Sequence, residues 1–426
     1  MLHLSRRALT CAGLVFAAVL GRADWPQWRG PDRTGRLPAA ETLPARLPDV
    51  PPVAWKARAG EGFASAVIAA GRAFLFDGQD GRETLRAVSM EDGREAWRAD
   101  IDEAFKDSQG PPGPRCTPVV DGDRVYVQSC RGELRCVSAL DGKVLWGASY
   151  TRDFGAVFVG EKGATPGARR HGNNGSPLVH GDLLIASVGA TNGAAVVAFD
   201  KRTGGVRWKA GNEVAAYAPP VANLASPVPH VVDFMADAAL GVELGTGRVL
   251  WRFPMRTDFA RHVMTPVLAM DGALVLVGSH QTALMGLRLN PEGNGLGVSE
   301  AWRCREAAPN FSSGFATRTH YFGLGLGGAL TCVELATGRL AWSRPSWAGP
   351  VAERAHASFA WDGTRALSLV DDGQLVLWEP DAAGYREVSR VQACGNTWCQ
   401  PAIAGGLAVV RDGLKTTGQW ICLRIR

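Results

Sequence analysis

One residue recurs in a fixed frame along most of the chain, and that frame restricts the fold more than any other property. Five segments read backwards from a tryptophan in the same way: Ala87 to Trp97, Cys136 to Trp146, Ala198 to Trp208, Gly241 to Trp251 and Cys332 to Trp342. Ten positions before each Trp stands Ala, Cys or Gly; five before stands Asp or Thr; four before is always Gly. The runs flanking that Gly alternate apolar and polar residues, as in Arg124-Val125-Tyr126-Val127-Gln128, the period of a half-buried strand. The Asp-Gly or Thr-Gly pair closes a hairpin, because Gly takes the positive φ that the turn requires. Helical periodicity is weak after residue 23, so the chain reads as all-β.

The spacing counts the units. Trp residues in this register fall at Trp55, Trp97, Trp146, Trp208, Trp251, Trp302 and Trp342, and Gly384 places the next equivalent at Val388. Trp302 departs from the frame, because residues 290–297 read as a longer turn. The 403 residues after residue 23, divided by eight, give about 50 per unit, the size of a four-stranded propeller blade. A single blade cannot bury both faces of its sheet, so the ring must close. The C-terminal stretch supplies three strands without a Trp-bearing fourth, whereas Val53-Ala54-Trp55-Lys56 is a fourth strand without a blade. Joining them leaves no open edge. The expected fold is an eight-bladed β-propeller of four-stranded antiparallel blades over 53–426. A Pro-rich arm, 24–52, is expected to lie on it, held by Trp25 and Trp28. Its loss is expected to be milder than loss of the strand that closes the ring.

Residues 1–23 read as a signal peptide. Arg6-Arg7 precedes an apolar run from Ala8 to Leu20, and Gly21-Arg22-Ala23 offers small residues at −3 and −1. That run of 13 residues is too short to span a bilayer of about 30 Å. Ser5-Arg6-Arg7-Ala8-Leu9 fits either an ordinary export signal or a twin-arginine one. The expectation is a protein exported to the periplasm or beyond the cell. Losing Arg6, Arg7 and Arg22 lowers the net charge from +5 to +2, which argues against nucleic-acid binding.

The segment Ala198 to Trp208, A-x-D-x-x-T-G-x-x-x-W, resembles the tryptophan-docking motif of the quinoprotein-like eight-bladed β-propellers. That class includes pyrroloquinoline quinone (PQQ)-dependent alcohol dehydrogenases and the propeller lipoprotein of the outer-membrane assembly machinery. The opening Asp24-Trp25-Pro26-Gln27-Trp28-Arg29-Gly30-Pro31 is similar to the start of bacterial PQQ-like repeat proteins. The resemblance implies that Trp55, Trp97, Trp146, Trp208, Trp251, Trp302 and Trp342 dock one blade on the next. For a dehydrogenase it also implies an adjacent Cys-Cys disulfide over the quinone, a calcium site of Glu and Asn, and an Asp base. No Cys-Cys pair exists in this sequence, and neither does the Cys-x-x-Cys-His of attached haem. The expectation is therefore a monomeric binding or scaffold module for envelope proteins or peptides, without catalysis and with no cofactor. PQQ with calcium in a dehydrogenase is the alternative.

Cys136, Cys332 and Cys422 occupy the small-residue position of the motif and read as buried hydrophobes. Cys394 and Cys399 share a loop and are expected as a candidate disulfide; Cys116 and Cys130 could also meet. A ligand site, if present, is expected at one mouth of the channel, ringed by the loops that enter each innermost strand. Those loops carry the candidates Arg115, Arg169, His171, Asn173, Asn174, His262, His356 and Trp398. Together these suit an anionic or polar ligand, and no metal is expected.

Overall fold

A computed structural model describes residues 24–106, 111–157, 171–258, 260–293, 295–349, 355–413 and 417–426. The expected leader and Arg169 lie outside the described residues. The rest form eight four-stranded antiparallel sheets with almost no helix. Seven blades are sequential hairpins: 67–103, 119–149, 178–210, 221–254, 267–304, 315–344 and 357–392. The eighth runs, from the axis outward, Ala402–Ala404, Leu407–Arg411, Gly418–Arg424 and then Val53–Ala59. Trp55 stands opposite Cys422 in that last pair. The expected closure by the N-terminal strand is therefore present.

The repeated frame has a mechanical reason. Trp97, Trp146, Trp208, Trp251 and Trp342 each face the residue ten positions back across the ladder, as in Ala87–Trp97 and Cys136–Trp146, with a β-bulge immediately after that partner; Trp302 faces Gly286 in the same way across a longer hairpin. The indole lies over the partner, so only a small side chain fits. A Cβ on Gly241 would stand 2.0 Å from Trp251 Nε1. The indole also reaches the next blade: Trp97 Nε1 donates to the Ala139 carbonyl at 3.1 Å and Trp208 Nε1 to Leu244 at 2.9 Å. Beneath the rings of Trp55, Trp97, Trp146, Trp208 and Trp302 sits the next blade's turn glycine. Gly142 has φ +74°, and a Cβ there would lie 2.6 Å from the Trp97 ring. Small residue, glycine and Trp are thus three parts of one contact relayed from blade to blade.

Two blades vary the contact. The fifth replaces the short turn with the long hairpin Leu284–Glu292/Gly295–Cys304, so Trp251 Nε1 bonds His230 Nε2 at 3.4 Å instead. The seventh departs from it: Val388, expected in the Trp register, is the bulged residue, and Ser389, facing Leu377, takes the docking position, while the neighbouring Trp378 is fully buried.

The arm does not lie on the outside. Residues 24–37 form a hairpin inserted along the channel axis, touching the innermost strand, or its lead-in, of every blade. Trp25 pairs with Ile68, and the Pro26 carbonyl accepts from Val120 N. The Trp28 indole donates to Thr265 Oγ1 at 2.9 Å, and Arg29 N donates to Gln400 Oε1 at 3.0 Å. The Arg29 guanidinium bonds the Gly314 carbonyl. Arg33 Nη1 bonds the carbonyls of Ser176 (3.0 Å) and Pro220 (2.9 Å), and its Nη2 that of Pro177. The chain then leaves past Trp361, whose carbonyl accepts from Leu37 N. Arg29 and Arg33 are both buried and lie at φ +60° and +62°. The expectation of a superficial arm is corrected on this point, because two guanidiniums satisfy channel carbonyls that no strand pairs.

The eight described cysteines are buried and none is in a disulfide. Cys394 and Cys399 are not bridged: the Cys394 sulfur faces the Gly373 carbonyl at 3.9 Å and the Cys399 sulfur the Ala64 carbonyl at 3.3 Å. Cys116 and Cys130 are likewise separate, with sulfurs on Thr117 O and Gly113 O.

Candidate functional site

The loops that lead into the innermost strands are tied together by hydroxyl clasps two residues before the strand. Ser65 Oγ accepts from Gln400 N at 2.8 Å, Thr117 Oγ1 from Ser65 N at 3.1 Å, and Ser176 Oγ from Thr117 N at 2.9 Å. Across the ring, Ser313 Oγ accepts from Thr265 N at 2.9 Å. These hydroxyls spend their acceptor capacity on backbone N–H groups of the neighbouring blade, so they build the ring.

Two residues before each clasp position lies one more equivalent residue: Phe63, Arg115, Asn174, Tyr217, Val263, Phe311, His356 and Trp398. All eight line a single cavity of about 520 Å³ at the channel mouth. His171 and Arg261 add to its wall. Trp28, on the inserted arm, also lines it.

One side of the cavity is a stacked column. Trp398 lies between Phe311 (centroids 5.1 Å apart, planes 20°) and Phe63 (5.7 Å, 25°). The Arg115 guanidinium covers the Phe63 ring at 4.9 Å, a cation–π contact. His356 lies 6.2 Å from Trp398, and burial pushes its pKa down to about 4, so it is neutral at pH 7. The opposite side carries Asn174, His171 and Tyr217, the last two with ring centroids 6.0 Å apart. Arg29 and Arg33 lie at the tip of the same arm. Burial lowers them to about 10 and about 9, so both stay charged at neutral pH.

Of the candidates read from sequence, Arg115, His171, Asn174, His356 and Trp398 meet around this cavity. Asn173 and His262 do not. Asn173 is buried with its amide on the Cys130 carbonyl at 3.0 Å. His262 stacks on Phe234 at 4.1 Å and bonds the Met235 carbonyl through Nδ1 at 2.6 Å. Each stands one residue out of the register and points into a blade. Phe63 and Tyr217 were missed as site residues. Counting four residues back from each innermost strand would have found them.

A family model described as outer membrane protein assembly factor BamB matches residues 52–208. The outer membrane protein assembly factor BamB of Xanthomonas campestris pv. campestris is 28% identical over 152 residues, 34% of this chain. That match spans 30% of the relative's own length, under a third of it. Among solved structures, BamB from Moraxella catarrhalis superposes with a TM-score of 0.57 at 15% identity, covering 87% of this chain and 97% of that one. Quinohemoprotein alcohol dehydrogenase ADHIIG from Pseudomonas putida HK5 gives 0.59 at 12% identity, covering 95% and 80%. Likeness at these identities concerns the fold alone. The resemblance to eight-bladed PQQ-like repeat propellers is borne out.

The described lining of this cavity does not supply the calcium half of a quinone site. Divalent calcium takes six to eight oxygen ligands, carboxylates foremost. No Asp or Glu is among the described residues that line the mouth, whose basic side chains are Arg115 and Arg261. Among the described residues, no group of three or more His, Cys, Asp and Glu gathers elsewhere as a metal site. No helix among them is long and apolar enough to cross a membrane.

Proposed function

We propose that this chain is a binding or scaffold module of the bacterial cell envelope whose recognition site is the channel-mouth cavity, with protein or peptide partners. The observation that carries this reading is the ring of eight equivalent positions. One side chain from each inter-blade loop converges on a single concavity with a stacked aromatic column and two arginines. Such a concavity, mostly apolar with a few placed polar groups, is the usual form of a binding site. The hydroxyl clasps tie the described ends of these loops to the ring, which lowers the ordering cost of binding. The partial match to outer membrane protein assembly factor BamB supports an envelope role outside the cytoplasm.

Two measurements test the reading. Affinity capture from an envelope extract is expected to retain a partner with wild-type protein and to lose it with Trp398→Ala. Anaerobic titration with PQQ and Ca²⁺ is expected to leave the quinone absorbance unchanged. A stoichiometric shift accompanied by dye-linked alcohol oxidation would replace the binding module with a dehydrogenase.

A further inference from the structure

Most polar side chains that line the mouth cavity already have partners in the protein. The Trp28 indole donates to Thr265 Oγ1, and the Ser176 and Ser313 hydroxyls accept the backbone N–H groups of Thr117 and Thr265. Asn174, with its amide nitrogen turned toward them, donates to the carbonyls of Gly172 and His171, both at 3.1 Å. Arg115, His171, Tyr217 and Arg261 each have interactions of their own. Two rings remain. Among the described residues, no hydrogen-bond partner meets either ring nitrogen of His356 or the indole N–H of Trp398.

His356 is only 6% exposed, and burial alone keeps its imidazole neutral at pH 7. A buried polar group that has given up water without gaining a partner costs the fold stability. The other two buried histidines among the described residues avoid that cost. His230 Nδ1 lies 2.7 Å from the Val228 carbonyl, and His262 Nδ1 lies 2.6 Å from that of Met235. His356 instead lines the cavity with both nitrogens unused, so its partner has to come from outside the chain.

The leftover groups define that partner. A neutral imidazole has one donor and one acceptor nitrogen, whereas an indole only donates. The rings of His356 and Trp398 have centroids 6.2 Å apart, so one hydroxyl oxygen between them can donate to the imidazole and accept from the indole. Trp398 is also stacked with Phe311 and Phe63 on the same wall. A hydroxyl carried on a flat apolar ring satisfies both features. An indole would donate to His356 but could accept nothing from Trp398, and a sugar brings more hydroxyls than these two residues can pair.

We infer that the mouth cavity takes a tyrosine side chain of its partner, with the phenol oxygen between His356 and Trp398 and the ring against the column of Phe63, Trp398 and Phe311. This rests on the binding-module reading above and names the side chain that the site selects.

The test is ligand-observed NMR titration of the intact protein with four probes. Three are blocked pentapeptides of glycine and serine with tyrosine, phenylalanine or tryptophan at the centre, and the fourth is p-cresol. The tyrosine peptide is expected to bind about tenfold more tightly than the phenylalanine peptide, the factor for one hydrogen bond, and several-fold more tightly than the tryptophan peptide. p-Cresol, which has no main chain to contact the loops, is expected to bind at least about tenfold more weakly than the tyrosine peptide. His356→Leu is expected to melt no lower than wild type, since an unpaired polar group is replaced by an apolar one, and to bring the tyrosine peptide down to the phenylalanine level. Trp398→Phe keeps a ring and loses the N–H, and is expected to weaken the tyrosine peptide several-fold while sparing the phenylalanine peptide. A tyrosine-to-phenylalanine ratio near one in wild type overturns the inference whatever the variants do. A tryptophan peptide that binds as tightly as the tyrosine one overturns it too. Equal binding of p-cresol and the tyrosine peptide would assign the cavity to free phenols in place of a partner's tyrosine. The binding-module reading fails separately, if the intact protein captures no envelope partner.

Discussion

Arg33→Met removes the centre of the inserted arm while nearly conserving its length. Four acceptors lose a charged donor: the carbonyls of Ser176, Pro177 and Pro220, and Gln27 Oε1, which Arg33 Nε meets at 2.9 Å. A hydrogen bond to a charged group is worth roughly 1.5–3 kcal/mol. Part of that loss is returned, because the substitution also abolishes the cost of burying a cation, visible in the fall of its pKa to about 9. The remainder is about 3–5 kcal/mol, since each buried acceptor left unsatisfied costs about 1–3 kcal/mol. Arg33→Lys keeps the charge but lacks the planar fork that meets three carbonyls at once, so it should recover less than half of the loss. Urea melts followed by tryptophan fluorescence would measure both variants, with the exposed Arg202→Met as a control expected within about 0.5 kcal/mol of wild type. An Arg33→Met protein as stable as that control would refute the argument. The arm would then be dispensable to the ring, and the mouth cavity would lose its floor.

Other expectations follow from the same contacts. Gly142→Ala, at φ +74° under the Trp97 ring, should cost about 2–5 kcal/mol from backbone strain and overpacking, whereas Gly122→Ala, with open space around it, should cost about 1–2 kcal/mol in the same melts. Trp208→Ala should cost about 3–5 kcal/mol as a core truncation; Trp398→Ala should cost about 1 kcal/mol, and equal losses would place Trp398 in the core. Burial raises Asp233 from 3.8 to about 7, so the folded state holds a proton that the unfolded state has released between those values. Wild type should therefore lose stability relative to Asp233→Asn as pH rises through that window, with no further change above it, and parallel pH–stability curves would disprove it. The eight described thiols should react slowly with a thiol reagent in native protein, and reductant should leave the thermal midpoint unmoved; a reductant-dependent midpoint would reinstate a disulfide.

The blade count and the closing strand were legible because they rest on repetition. A Gly four before Trp means little once and a great deal five times, since each copy reports the same inter-blade contact. The arm was not legible for the opposite reason. Arg29 and Arg33 occur once, carry no periodicity, and adopt a positive φ that no residue type advertises. Charged residues in a Pro-rich stretch read naturally as solvated, and only the carbonyl-lined channel makes them buried pins. The site lay between these cases. Loop membership found Arg115, His171, Asn174, His356 and Trp398, but it could not separate Asn174 from Asn173 or Val263 from His262. In each pair one neighbour faces the axis and the other the blade, so a one-residue shift reverses the role. Val263 carries no chemistry to attract notice, and Phe63 and Tyr217 read as ordinary apolar loop residues.

The closure of the eighth blade also sets an order of events. Arg29 meets Gln400 across 371 residues of chain, and the outermost strand pairs Val53 with Leu423. Bringing together ends so far apart costs roughly 5 kcal/mol of loop entropy by the logarithmic rule, more than any hairpin within a blade. Interior blades draw on contacts a few dozen residues apart and can assemble while the chain is still emerging. The last blade and its contact with the arm wait for residues 400–424 to be made. Until then the Val53–Ala59 strand and the Arg29 backbone N–H stay without their eighth-blade partners, so the late intermediate is the species exposed to proteolysis and self-association.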